Sequence, residues 1–348
     1  MEIKLKYKKN ISKNENCFII AEAGVNHNGS LKIAKQLVDI AVEAKADAVK
    51  FQTFIADEII LKKAPKAKYH IDTTGSDKTL SWYDLLKSQE ISLKMHKELI
   101  SYCNKKKIIF MSTPYDKKSV DLLDSLRVQI FKIASTDSNN HQLIEYIAKK
   151  KKPVILSTAM SNIQDITKSV KILKKYLKNN FVLMQCTGSY PAPIKDSNLA
   201  VIDLFKKKFK CLVGYSDHVI DDSSVLAALG IGISVYEKHI TVNKKLPGPD
   251  HRASLDKVEF INLIKKIKNV EIAIGDGIKK IMPCEIKNVK KLKKFLVAKK
   301  DIQKGKKITS DQITAKRTGG LGLSASKYFE ILNKKSWKKF KINQPITK

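Results

Sequence analysis

The sequence predicts an α/β protein: a closed (β/α)8 barrel of the TIM type, followed by a small, mostly-β domain. Three observations predict it. Eight apolar runs of strand length alternate with longer amphipathic runs, the pattern of parallel strands joined by helices. About half of the residues in those runs are β-branched or aromatic and about half of the rest are other apolar residues, as in strands buried on both faces. The chain then changes character after Gly275 and Gly277, where a lysine-rich stretch leads into short β-like pieces.

The runs, in order, are FIIAEA (Phe18 to Ala23), AVKFQT (Ala48 to Thr53), IIFMST (Ile108 to Thr113) and IFKIAS (Ile130 to Ser135). PVILST (Pro153 to Thr158), FVLMQC (Phe181 to Cys186), CLVGYS (Cys211 to Ser216) and SVYEKHI (Ser234 to Ile240) complete the set. Between the first two, Leu31, Ala34, Leu37, Val38, Ala41 and Val42 hold helical spacing behind Ser30, an N-cap residue. Val120, Leu123 and Leu126 repeat that spacing, as do Ile163, Ile166, Val170, Leu173 and Leu177. No GxGxxG follows the first run, which argues against an open dinucleotide-binding sheet. Asp57 to Ser88 exceeds an ordinary βα loop and is expected to make an excursion over the barrel mouth. The expected division is a barrel over 1–280, a linker over 281–294 and the small domain over 295–348.

Composition narrows the function. Of 348 residues, 67 are Lys or Arg against 34 Asp or Glu, a net charge of +33. Only three of the basic residues are arginine: Arg127, Arg252 and Arg317. Nucleic-acid readers favour arginine for its bidentate fork, and the lysines here recur in short runs along the whole chain. The charge therefore reads as a solvated surface that can steer an anionic substrate, with neither nucleic acid nor membrane as partner. No apolar run reaches the ~18–20 residues that span a bilayer. Five scattered cysteines form neither a disulfide framework nor a CxxC zinc site. A reducing, cytoplasmic setting is expected.

Active sites of such barrels lie at the C-terminal ends of the strands. Those positions carry Glu22, Lys50 with Gln52, Thr113, Lys132 with Ser135, Ser157, Ser216 with His218, and Glu237 with His239. Buried lysines and carboxylates are rare unless paired, so this many polar endings is a site. Two ammonium groups among several hydroxyls make a cradle for a phosphate and a carboxylate. His218 and His239 end adjacent strands, and two imidazoles beside a carboxylate suit a divalent metal such as manganese. His27, next to Asn26, either braces the first loop or touches substrate.

With these residues in view, the chain resembles the sialic acid synthase family. AEAGVNHNG (21–29), DAVKFQTF (47–54), STPYD (112–116), FKIAS (131–135) and ILSTAM (155–160) match its barrel motifs in order. CTGSYPAP (186–193), GYSDH (214–218), EKHIT (237–241) and GPDHRASL (248–255) continue the match. The C-terminal part resembles the family's antifreeze-like, or SAF, domain.

The resemblance implies condensation of phosphoenolpyruvate with an N-acylated hexose and water, releasing phosphate by C–O cleavage and forming a nine-carbon 2-keto acid. By motif, Lys50, Thr113, Lys132, Ser135, Ser157 and Ser216 would hold phosphoenolpyruvate. His218 and His239 would ligate a divalent metal, manganese first and magnesium second. Glu22 would be the acid/base residue. Gln52, Tyr190 and Asp250 would orient the sugar, with Asp137 and Glu237 nearby. The family also implies a homodimer with swapped SAF domains, in which Arg317 reaches the partner's sugar site. Three departures stand out: Thr318 where the family loop has proline, Asp137 in place of a longer acidic residue, and Gly188 where some members carry asparagine.

The expected activity is N-acetylneuraminate synthesis from N-acetylmannosamine. N,N'-diacetyllegionaminate synthesis from a 2,4-diacetamido-6-deoxy hexose is the alternative, and pseudaminic acid synthesis a third. A Schiff-base aldolase with Lys132 as nucleophile is a different reaction class, but it leaves the histidines and the second lysine unused. A polycationic binding module has no nucleic-acid motif to support it.

Overall fold

The computed structural model describes residues 1–66 and 81–348. It forms two compact units, Met1–Gly275 and Asp276–Lys348. A short antiparallel hairpin opens the first unit, β1 (Glu2–Ile3) paired with β2 (Ile11–Ser12). Eight parallel strands follow: β3 (Phe18–Gly24), β4 (Ala48–Thr53), β5 (Ile109–Pro114), β6 (Phe131–Ile133), β7 (Val154–Ser157), β8 (Phe181–Cys186), β9 (Leu212–Asp217) and β10 (Val235–His239). Their order in the sheet is β5-β4-β3-β10-β9-β8-β7-β6, and β5 packs against β6 to close the ring. All eight expected runs are strands of this barrel. The fourth is the shortest, because the chain leaves the sheet after Ile133 and turns into a 3-10 helix at Ser135–Asp137.

Several helices start where side chains take up free backbone N–H groups. Ser30 accepts from Ile33 N at the head of helix 31–43, Asp116 from Ser119 N, and Asn140 from Leu143 N. Asp256 and Glu259 form a reciprocal capping box on helix 257–274.

The strand alternation divides the apolar residues into two layers. Outward residues such as Ile19, Val49, Phe51, Phe131, Leu156, Leu183 and Tyr236 pack under the helices. Inward residues at the N-terminal end of the barrel, including Phe18, Ile20, Ala48, Ile109, Ile130, Ile155, Val182 and Val235, form a dry plug. Ile3 and Ile11 of the hairpin join that plug, with Leu5 against it, so the lysine-rich N-terminus covers the bottom of the barrel. Its apolar residues are too few and too widely spaced for the sequence to declare this.

The first unit ends where Gly275 takes φ +67 after the last barrel helix. The stretch expected as a linker carries a helix over Ile286–Leu292. In the second unit, β11 (Phe295–Ala298) pairs antiparallel with β12 (Ile313–Lys316) over a core containing Leu296, Ile302, Ile308, Ile331 and Phe340. The expected excursion from Asp57 to Ser88 is helical at Ala56–Ile59 and Trp82–Gln89; 67–80 lie outside the described residues.

Candidate active site

The site begins two residues beyond the dry plug, on the same inward face. Glu22, Lys50, Lys132, Ser157, Ser216 and Glu237 all project into the barrel there and are nearly inaccessible to solvent. Lys50 Nζ lies 2.7 Å from Glu22 Oε2, 3.7 Å from Glu237 Oε2 and 3.1 Å from Thr113 Oγ1. Lys132 Nζ donates to Ser157 Oγ at 2.8 Å and to Glu237 Oε1 at 3.2 Å. Ser216 Oγ donates to the same Glu237 oxygen at 3.0 Å. Two buried cations and two buried carboxylates thus neutralise one another inside one ring, which their desolvation demands.

The two carboxylates have opposite electrostatics. Burial pushes Glu22 up to about 7, against the pull of Lys50. Burial also works to raise Glu237, but Lys132, Lys50 and His239 outweigh it and hold Glu237 at about 2. Burial lowers Lys132 from its ordinary range. Such a split between neighbouring acids is how one site keeps a proton carrier beside a fixed anion. Glu22 Oε2 and Glu237 Oε2 both face Lys50 Nζ, at 2.7 Å and 3.7 Å.

Above this ring stand the histidines. His218 and His239 have ring centroids 5.5 Å apart, and Tyr190 stacks 4.0 Å from His218. His218 Nδ1 lies 2.7 Å from the carbonyl of Thr187, so it donates there and leaves Nε2 as the nitrogen able to act as an acceptor. His239 Nδ1 is buried without a hydrogen-bond partner, 4.0 Å from Asp250 Oδ2. Burial raises Asp250 to about 6. Among the described residues no three or more His, Cys, Asp or Glu side chains converge as a closed metal site. Two imidazoles with free nitrogens, one of them orphaned, fit an open site that leaves positions for water and substrate.

Gly24 keeps this mouth open. A Cβ there would lie 3.3 Å from Glu22 Oε1, 3.5 Å from Gln52 Nε2 and 3.7 Å from Asp250 Oδ2. Gln52 Nε2 reaches Glu22 Oε1 at 3.4 Å, so Gln52, Asp250 and Glu22 share one wall. Ser135 Oγ accepts from Ala159 N at 3.0 Å, and Asp137 accepts from Asn140 at 2.9 Å. Arg317 belongs to the second unit, where it is exposed and its Nε donates to the carbonyl of Leu292 at 3.2 Å.

Sequence reading missed two supporting groups. Cys186 ends β8 facing inward, with Sγ 3.8 Å from His218 Nδ1. Its position at a strand end was the available signal. Asp217 points outward and accepts from Tyr215, Tyr236, Lys238 and the Val219 amide, locking β9 to β10. Only the alternation of GYSDH and EKHIT hinted at that outward pair.

Fold and site together define a barrel that buries two lysines and two carboxylates beneath a histidine pair. Residues 37–279 match the NeuB family and residues 293–348 the SAF domain, and the chain belongs to that family of phosphoenolpyruvate-dependent nonulosonic acid synthases, which form a C–C bond. It is 44% identical over 330 residues to the N,N'-diacetyllegionaminic acid synthase of Campylobacter jejuni, covering 94% of this chain and 98% of that one. The N,N'-diacetyllegionaminic acid synthase of Legionella pneumophila is 39% identical over 320 residues, 91% of this chain and 89% of that one. The structure resembles that of an N-acetylneuraminic acid synthetase from Leptospira borgpetersenii, with a TM-score of 0.71 and 33% identity. That match covers 83% of this chain and 95% of the other. Synthases of this family are generally metal-dependent. No helix among the described residues is long and apolar enough to cross a membrane.

Proposed function

We propose that the chain condenses phosphoenolpyruvate with a 2,4-diacetamido-6-deoxy hexose and water, giving N,N'-diacetyllegionaminate and phosphate. The observation that carries the chemistry is the buried ring of Lys50, Lys132, Glu22 and Glu237. The choice of sugar rests on similarity to two synthases of that acid. N-acetylmannosamine, the acceptor expected from the sequence, is the second reading, favoured by the likeness to the Leptospira synthetase.

Lys50 and Lys132, with Thr113, Ser135, Ser157 and Ser216, hold the phosphate and carboxylate of phosphoenolpyruvate by charge-assisted hydrogen bonds. The enol carbon C3 attacks the aldehyde carbon of the open-chain sugar, whose oxygen takes the C=O π pair and then a proton to become a hydroxyl, and positive charge develops at C2. Glu22 stands beside those carbons as the group that stabilises this charge and takes the proton of the water that adds to C2. Phosphate then leaves with its bridging oxygen. Glu237, held anionic, keeps the two lysines in place when substrate is absent. Gln52, Tyr190 and Asp250 orient the sugar. His218 and His239 would hold a divalent ion, manganese in this reading, which would supply Lewis-acid polarisation of the sugar aldehyde. The same reading places the reaction in the cytoplasm and in a homodimer whose SAF domains swap, with Arg317 acting on the partner's sugar. Mixing Arg317→Ala with Lys132→Met chains should then restore activity that neither shows alone.

The test is phosphate release with phosphoenolpyruvate, manganese and each hexose in turn. A kcat/KM preference of tenfold or more for the diacetamido sugar, about 1.4 kcal/mol, supports the proposal. The reverse preference overturns the sugar, and no release with either overturns the function.

A further inference from the structure

Two residues of the AEAGVNHNG loop, Asn26 and Asn28, take no part in the chemistry above, yet both reach across to the GPDHRASL loop. Asn26 is wholly buried. Its Nδ2 donates to the Ile240 carbonyl at 2.9 Å and to Ser254 Oγ at 2.9 Å. Ser254 Oγ in turn donates to the Asp250 carbonyl at 2.6 Å. Asn28 Nδ2 donates to the Pro247 carbonyl at 2.9 Å, and Asn28 Oδ1 lies 3.3 Å from His251 Nε2.

The proton positions follow from the network. The Pro247 carbonyl orients the Asn28 amide so that it presents an acceptor to His251. Nε2 of His251 therefore carries the ring proton, and Nδ1 accepts from Thr241 Oγ1 at 2.7 Å. Burial keeps this ring neutral, lowering it to about 4. Gly248 is what lets the partners meet. Its φ is +146, and a Cβ there would come within 2.8 Å of His251 Cδ2 and 3.2 Å of Asn28 Oδ1.

The segment 247–254 is thus pinned on both sides of Asp250, at Pro247 and His251 by Asn28 and at Ser254 by Asn26. We infer that Asn26 and Asn28, through Ser254 and His251 beneath Gly248, are positioning residues that aim the Asp250 carboxylate at the acceptor sugar. This deepens the proposed function and rests on its assignment of Asp250 to the sugar. A misplacement of about an ångström suffices to cost an order of magnitude or more when a group must meet a substrate in one geometry.

The experiment measures both Michaelis constants in Asn28→Ala, Gly248→Ala and Asn28→Asp, using phosphoenolpyruvate and whichever of the two hexoses the wild type consumes. Asn28→Ala and Gly248→Ala should each raise KM for the hexose roughly tenfold while KM for phosphoenolpyruvate stays within about twofold. Asn28→Asp retains an acceptor for His251 Nε2 and should recover part of the loss. Equal rises in both constants, or losses that track the folded fraction in a thermal melt, overturn the inference. Crystals of Asn28→Ala give a readout that needs no sugar: Asp250 should be displaced while Lys50 and Lys132 stay in place, and an unmoved Asp250 overturns the brace. If the wild type consumes neither hexose, the proposed function fails, and the displacement still decides whether the brace exists.

Discussion

The two ends of the barrel interior are built on the same eight strands and the same inward face, two residues apart. Ile20 precedes Glu22, Ala48 precedes Lys50, Ile130 precedes Lys132, Ile155 precedes Ser157 and Val235 precedes Glu237. The first member of each pair belongs to the dry plug, and the second to the charged ring. Because strand side chains alternate with a period of two, one step of that period moves the barrel from stability to chemistry. The lesson is that the plug supports the ring: buried charges can be held in fixed geometry only on a layer that does not give way.

The comparison can be broken most severely from the charged side. Lys132→Met leaves the Ser216–Glu237 contact but removes one of two buried cations. Activity should fall by roughly 10²–10³ in kcat/KM, the cost of losing one preorganised charge contact. Phosphoenolpyruvate titrations would show whether binding is lost with it. A variant within tenfold of wild type would remove Lys132 from the cradle. Next in size, His239→Ala should abolish activation by micromolar manganese while the fold persists, and chelation of wild type should match it. Both are followed by phosphate release before and after metal is returned.

The acids sharpen the contrast through pH. Glu22 is raised from 4.5 to about 7 in the folded chain, so the native state binds its proton more tightly than the unfolded state does. Its contribution to stability therefore declines as pH rises from about 4.5 to 7. Glu237, held at about 2, works in the opposite sense: its stabilisation is present above about 4.5 and is lost as pH falls toward 2. Thermal melts of Glu22→Gln should gain on wild type between pH 5 and pH 8, whereas the deficit of Glu237→Gln should shrink in acid. In activity, Glu22 as a carboxylate gives a rising limb centred near pH 7 that Glu22→Gln removes. An unchanged profile would reassign the acid/base role.

From the plug side the expected effect is on stability alone. Ile109→Ala, in the dry layer and four residues before Thr113, should cost about 2–5 kcal/mol of unfolding free energy. Its kcat per folded molecule should stay within about twofold of wild type. A large loss of kcat at full folding would mean the plug tunes the ring as well as supporting it.

Much of this was legible along the chain. The eight strands and their polar endings follow from local alternation, so Glu22, Lys50, Lys132 and Glu237 could be placed at one end of a barrel before any coordinates. The motif match then attached roles to Tyr190, Asp250 and the histidines. Other features were not legible, because they join residues remote in sequence. The Ile3 and Ile11 cap and the Asn28–His251 contact carry no periodic signal, and strand alternation only hinted at the outward Asp217–Lys238 pair at 2.9 Å. Helix 286–292 lies in the lysine-rich stretch read as a linker with partial helix, whose charges leave its bounds unmarked.

By itself, the sequence determined the order of the eight barrel strands, the polar residues at their ends and the family, since each depends on neighbours a few residues away or on motifs read in order. Only the tertiary structure decided which lysine meets which carboxylate, and hence which acid is raised and which is held down. Those outcomes depend on distances of a few ångströms between strands far apart in the chain, and in a desolvated interior such distances outweigh any intrinsic property of the residue.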